Sequence, residues 1–88
     1  IKNRGGEKQT LYGLGLTYSA TKQYDQALRV LEQALAIDRE QQNRADERLT
    51  LEAIAQIYDQ MGQPDKAVTT RQQAAAIAQT SANSTTID

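Results

Sequence analysis

The chain has 88 residues, which is enough for one small domain and too few for two. It contains no cysteine and no histidine, which excludes disulfides, metal sites built on thiolate or imidazole, and catalysis by either side chain. Ten basic and eleven acidic residues give a formal net charge of −1, so nothing in the charge favours binding to nucleic acid or to a membrane. One proline, five glycines and few strand-forming residues predict an all-α fold.

The first half of the chain predicts two helices, over residues 7–20 and 24–41, with a break at residues 21–23. In the first helix, residues spaced i, i+3, i+4 and i+7 form an apolar stripe of Leu11, Leu14, Gly15 and Tyr18. The second helix carries a stripe of Ala27, Leu28, Leu31, Ala34 and Leu35.

The second half predicts two more helices, over residues 44–61 and 64–79. Their apolar stripes are Leu51, Ile54, Ala55 and Tyr58 in the third helix, and Ala67, Val68, Ala74, Ala75 and Ala78 in the fourth. Gly62 between them can take the left-handed conformation that ends a helix, and Pro64 suits a first helical position. Residues 80–88 lack this periodicity and are predicted to be a flexible tail.

The two halves repeat each other. A shift of 40 residues aligns 13 identical residues over the 38 positions from Lys2 to Arg39. Alanine and glutamine matches can arise from biased composition, but a tyrosine and an Asp-x-Ala motif at fixed places cannot. We therefore interpret residues 3–42 and 43–79 as two units of one repeat, within a single domain over residues 1–79.

Each unit resembles a tetratricopeptide repeat. The residues that carry the resemblance are Leu11, Leu14-Gly15, Tyr18, Tyr24, Ala27 and Ala34 in the first unit, and Leu51, Ile54-Ala55, Tyr58, Gly62, Ala67 and Ala74 in the second. The resemblance implies a right-handed α-solenoid of helix–turn–helix units with both tyrosines between the helices. The family's ordinary unit has 34 residues, and the longer unit here is similar to those of kinesin light chains and many multi-repeat bacterial signalling proteins.

The resemblance also implies a function: a non-catalytic module that binds a peptide or partner protein along the concave surface formed by the first helix of each unit. The candidate partner-binding residues are Gln9, Tyr12, Leu16, Ser19, Leu49, Glu52, Gln56, Asp59 and Gln60. Tyr12 and Leu16 turn away from the apolar stripe and could anchor a peptide. The alternatives are that another repeat covers them or that they are ordinary surface residues.

Some members of this family hold a chaperone's C-terminal carboxylate with lysine and asparagine side chains on the first helices. The corresponding residues here, Tyr12, Leu16 and Ala53, supply no cation. That activity is not implied.

The sequence gives little support for a charged binding site, a metal site or an active site. The charge-dense stretch from Arg39 to Glu52, together with the adjoining Asp38, is interpreted as a solvated junction, in which Glu40–Arg44 and Arg48–Glu52 form i, i+4 ion pairs. The alternative is that its arginines form a basic docking patch. Its acidic residues lack the spacing of a calcium loop, and no nucleophile lies beside a recognisable base, so we expect no metal, no cofactor and no enzymatic activity.

A second function remains open: a structural or oligomerising segment that packs its uncovered end against another molecule of this chain or a neighbouring domain. About three units are usually needed to bury a repeat core, so two should leave apolar surface exposed. Arg71 replaces Leu31 of the first unit and suits an outer face that meets water. The first residue, Ile1, suggests a piece of a longer protein, and the lack of a signal segment favours the cytoplasm.

Overall fold

The computed structural model describes the backbone of residues 4–86 and the side-chain environments of residues 6–78. It contains four helices: α1 (Arg4–Ala20), α2 (Tyr24–Glu40), α3 (Arg44–Gln60) and α4 (Pro64–Thr86). No strand occurs within residues 4–86. The predicted all-α fold of two helix–turn–helix units is confirmed.

Helices α2 and α3 each end one residue earlier than predicted, and two other predicted boundaries need a larger correction. Helix α1 begins at Arg4 rather than at residue 7. Helix α4 ends at Thr86, so the predicted end at residue 79 is wrong. Residues 80–86 contain neither glycine nor proline, and nothing in their sequence therefore stops the helix. Residues 87 and 88 of the predicted tail lie outside the described part.

The three turns between the helices share one geometry. The middle residue of each turn has a positive φ: 64° at Lys22, 55° at Gln42 and 75° at Gly62. In each turn the N–H of the next residue donates to a carbonyl five residues back, as in Gln63 N to Tyr58 O at 2.9 Å. This hydrogen bond, with the left-handed residue before it, is the Schellman ending of an α-helix. The left-handed conformation predicted for Gly62 is confirmed, and two non-glycine residues adopt it as well.

The core lies between α2 and α3. Its buried side chains are Ala27, Leu31, Leu35, Leu51, Ile54, Ile57 and Ala74. Tyr18 and Tyr58 are half-buried and pack against this cluster in equivalent places, as the repeat predicts. Gly15 allows α2 to approach α1 closely, because a Cβ atom there would lie 2.5 Å from Leu31 Cγ.

Part of the predicted apolar stripes is exposed. Leu14 and Val68 are exposed, and so is Ala75. The physical reason is position: α1 packs mainly on α2 and α4 packs on α3, so each end helix has one face that no other described helix covers.

Candidate functional site

Helices α1 and α3 lie side by side and run parallel. Near their N-terminal ends, Lys8 Nζ lies 2.7 Å from Asp46 Oδ2. Near their C-terminal ends, the Ser19 hydroxyl donates to Gln60 Oε1 at 3.2 Å. The candidate residues of the two helices are therefore considered together as one surface. We call it the first-helix surface, and it comprises the nine candidate residues Gln9, Tyr12, Leu16, Ser19, Leu49, Glu52, Gln56, Asp59 and Gln60.

Three of the nine candidates meet at a pocket of about 300 Å³ where α1, α2 and α3 come together. We call it the junction pocket, and its lining residues are Lys8, Gln9, Tyr12, Gly13, Asp38, Asp46, Leu49 and Thr50. Tyr12 is half-buried and packs against the core, so it is less exposed than predicted. Leu49 and Thr50 of α3 form the pocket wall beside it.

The other candidates are spread along the surface. Glu52 and Gln56 line a second pocket of about 280 Å³ against α4, which we call the end groove. Asp59 is paired with Arg71 of α4 at 2.6 Å. Leu16 is 47% exposed and lines neither the junction pocket nor the end groove. The structure thus brings together Gln9, Tyr12 and Leu49, and separates them from Glu52 and Gln56.

A buried carboxylate, Asp38, forms the centre of the junction pocket's polar wall. Its side chain is fully buried, and the Thr50 hydroxyl donates to its Oδ2 at 2.8 Å. Its other oxygen, Oδ1, lies 3.3 Å from Lys8 Nζ but receives no hydrogen bond. Asp38 therefore links α2 to both first helices, since Lys8 lies on α1 and Thr50 on α3.

Lys8 is held as a cation at this junction. Its Nζ donates to Asp46 Oδ2 at 2.7 Å and to Gln41 Oε1 at 3.0 Å, and its side chain is 12% exposed. The hydrogen bond to Asp46 raises the pKa of Lys8 above its usual value; partial burial opposes this rise, and Asp38 adds to it.

The prediction of a solvated junction is wrong for Asp38. Glu40 and Arg44 are also not an i, i+4 pair within one helix, because a turn at residues 41–43 separates α2 from α3. An ion pair across this turn joins Arg39 Nε to Glu47 Oε2 at 2.9 Å. One signal for the burial was present: Asp38 stands seven residues after Leu31, on the same apolar stripe.

The described residues contain no group of three or more acidic, histidine or cysteine side chains that could hold a metal ion. Nor does the described part of the chain include a helix that is both long enough and apolar enough to cross a membrane.

Comparison with known proteins finds a family match that extends over both units. The family model described as tetratricopeptide repeat matches residues 7–80, which include all but the ends of the chain. No curated protein and no solved structure matches significantly. The narrower resemblance to kinesin light chains and bacterial signalling proteins stays a prediction.

Proposed function

Because this chain belongs to the tetratricopeptide repeat family, whose repeats generally serve as non-catalytic protein–protein interaction modules, we propose that it binds a peptide segment of a partner protein along the first-helix surface. The observation that carries the proposal is the parallel contact of α1 and α3 at both ends, through Lys8–Asp46 and Ser19–Gln60. It makes two helices that are distant in sequence into one surface.

The dimensions and composition of this surface suit a peptide. Each of its helices has 17 residues, which corresponds to a length of about 25 Å and to an extended segment of about seven residues. Leu16 is 47% exposed and Leu49 is 50% exposed, and polar candidate residues surround both. Exposed apolar side chains within a polar rim are typical of protein-binding surfaces.

The test is selection of a random peptide library on the immobilised protein, followed by affinity measurements on variants. Leu16→Asp and Glu52→Lys change exposed residues of the first-helix surface, and each should weaken the selected peptides about tenfold. The matched control is Glu32→Lys, which makes the same charge reversal at an exposed position of α2. Peptides that are weakened by Glu32→Lys and tolerate both other variants would contradict the proposal.

A second candidate function is docking through the N-terminal end, and a comparison of the two units favours it. Thr50 and Ile54 of α3 are buried against the preceding unit, and Ile54 is only 4% exposed. Their counterparts on α1, Thr10 and Leu14, are exposed, and Leu14 is 40% exposed. The first unit therefore presents a face similar to the one that the second unit buries.

The residues that cover the equivalent face of the second unit indicate which partner would fit the N-terminal face. Within the chain, the covering helix is α2, which contributes Leu31, Leu35 and Asp38. We therefore propose that the N-terminal face docks a helix pair of the same repeat type with those residues. The end groove of another molecule does not qualify, because α4 carries Arg71, Ala75 and Ala78 at the equivalent positions.

This second proposal has a gain-of-function test. The triple substitution Arg71→Leu, Ala75→Leu and Ala78→Asp gives α4 the α2 pattern, so it should cause head-to-tail association in sedimentation experiments. The unchanged chain should stay monomeric at the same concentration, and adding Leu14→Asp should abolish the association. A triple variant that stays monomeric, or one that associates regardless of residue 14, would contradict the proposal.

A further inference from the structure

The charge of the junction pocket is negative. Its lining includes one cationic side chain, Lys8, and two carboxylates, Asp38 and Asp46, and the other five lining residues are uncharged. Their formal charges leave a net charge of −1 at a site where Lys8 is largely buried and Asp38 is fully buried. Burial strengthens electrostatic interactions because fewer water molecules screen them.

The lysine in the pocket is not available to an anionic ligand. Three acceptor oxygens lie around its Nζ: Asp46 Oδ2 at 2.7 Å, Gln41 Oε1 at 3.0 Å and Asp38 Oδ1 at 3.3 Å. Two of its three N–H donors form hydrogen bonds, to Asp46 and Gln41, and its charge is also paired with Asp38 Oδ1, without a hydrogen bond. A carboxylate or phosphate entering the pocket would find a net negative charge and a lysine that is already paired with two carboxylates.

The acceptors of the pocket are, in contrast, incompletely used. Asp38 Oδ1 is buried and receives no hydrogen bond from the described residues. Asp46 is 42% exposed and lies where solvent or a ligand can reach it. Lys8 compensates this buried oxygen only in part, as an ion pair at 3.3 Å without a hydrogen bond, and both Asp38 and Asp46 line the pocket.

The rest of the pocket suits an alkyl stem. Tyr12 and Leu49 supply apolar wall, and Gly13 leaves open space, because a Cβ built there has no neighbour within 4 Å. Arginine and lysine combine an apolar stem with a cationic head, and tyrosine can add a cation–π contact. We infer that the junction pocket binds the basic side chain, arginine or lysine, of the partner peptide; this inference rests on the proposed function.

The test uses capped pentapeptides Gly-Gly-X-Gly-Gly, in which X is arginine, lysine, norleucine or glutamate. Each is titrated into the ¹⁵N-labelled chain while the backbone amide shifts are followed. Norleucine keeps the alkyl stem without the charge, so the arginine and lysine peptides should bind about tenfold more tightly than the norleucine peptide. The glutamate peptide should cause no saturable shift. Equal affinity for arginine and norleucine would overturn the inference.

Variants at an exposed position test where the basic side chain binds and should leave the fold intact. Gln9 lines the pocket and is exposed on α1. Gln9→Glu should tighten the arginine peptide and Gln9→Arg should weaken it, each by about threefold, and added salt should reduce both effects. The control pair, Gln26→Glu and Gln26→Arg on the exposed face of α2, should change neither affinity. Equal responses from the two pairs would place the basic group elsewhere and overturn the inference.

Asp46→Asn is the direct variant, because it removes one carboxylate and preserves the side-chain shape. It should bring the affinity for arginine down to that for norleucine, with helix content checked by circular dichroism; an arginine preference that persists in this variant would overturn the inference.

Failure of this inference can be told apart from failure of the proposed function. Library-selected peptides that depend on Leu16 and Glu52 but not on a basic residue would overturn the pocket inference alone. If no peptide binds at the first-helix surface in either experiment, both are overturned.

Discussion

Gly13 and Gly15 stand two residues apart on α1 in opposite surroundings. A Cβ at residue 13 meets open space, whereas a Cβ at residue 15 lies 2.5 Å from the Cγ of buried Leu31. Gly13→Ala should therefore raise the free energy of unfolding by about 0.5–1 kcal/mol through better helix propensity. Gly15→Ala should lower it by about 1–3 kcal/mol through overpacking. Urea denaturation measures both, and changes of the same sign would contradict this prediction.

The second unit suggests a control for the close approach at residue 15. It has Ala55 in place of Gly15 and Arg71 in place of Leu31. Glycine therefore occurs in the unit whose second helix places a leucine at this contact. Gly15→Ala should accordingly cost less stability in a Leu31→Ala background than in the unchanged chain. An equal cost in both backgrounds would mean that the strain does not come from this contact.

The left-handed turn residues give a second prediction. Gln42 has a φ of 55° and Gly62 has a φ of 75°. Glycine adopts this conformation without the steric cost that other residues incur, so Gln42→Gly should stabilise the chain by about 0.5 kcal/mol and Gly62→Ala should destabilise it by about 1 kcal/mol. Thermal melts monitored by circular dichroism give both values; destabilisation by Gln42→Gly would contradict the shared turn geometry.

For single residues, the sequence predicted backbone conformation and burial only where the residue type is distinctive. Glycine at residue 62 predicts a left-handed turn, but Lys22 and Gln42 carry no such signal, because position within the turn imposes the conformation on them. Asp38 was misjudged for a similar reason: its charge predicts exposure, although its place on the Leu31 stripe predicts burial.

Among the elements, Asp38 of α2 joins α1 through its ion pair with Lys8 and joins α3 through the hydrogen bond from Thr50. Lys8→Met should lower the free energy of unfolding by about 2–3 kcal/mol, because it leaves the buried carboxylate without a cation. The double variant Lys8→Met with Asp38→Leu removes the uncompensated charge and should recover much of that loss. Chemical denaturation of the unchanged chain and the two variants measures these differences. A double variant less stable than Lys8→Met alone would contradict this account of the junction.

The same lysine predicts a dependence on alkaline pH. Its pKa is raised in the folded chain, mainly by the hydrogen bond to Asp46. A group with a raised folded pKa contributes stability below its unfolded pKa, and that contribution is lost as the pH rises through the folded value. Stability should therefore fall as the pH rises above about 10.4, the ordinary lysine pKa.

Lys8→Arg separates this effect from the titration of the tyrosines, because an arginine stays charged over the whole range. The variant should lose less stability than the unchanged chain between about pH 9 and pH 12. Equal losses of stability in the two chains, measured by urea denaturation across that range, would show that Lys8 does not contribute to the dependence on alkaline pH.

Over the whole molecule, the repeat made the fold predictable. Four helices, two half-buried tyrosines and the packing of Gly15 follow from a 40-residue offset and the helical spacing of apolar residues. The candidate surface was only partly predictable. Helical spacing places residues on one helix, but the junction pocket depends on Lys8, Asp38 and Asp46, which three different helices bring together.

The binding of a peptide across α1 and α3 is tested most directly by mapping the amide shifts that a library-selected peptide causes in the ¹⁵N-labelled chain. We expect the largest saturable shifts within residues 9–19 and 49–60, on both first helices at once. Shifts concentrated on the exposed faces of α2 and α4, for example around Glu32 and Gln72, would contradict the account.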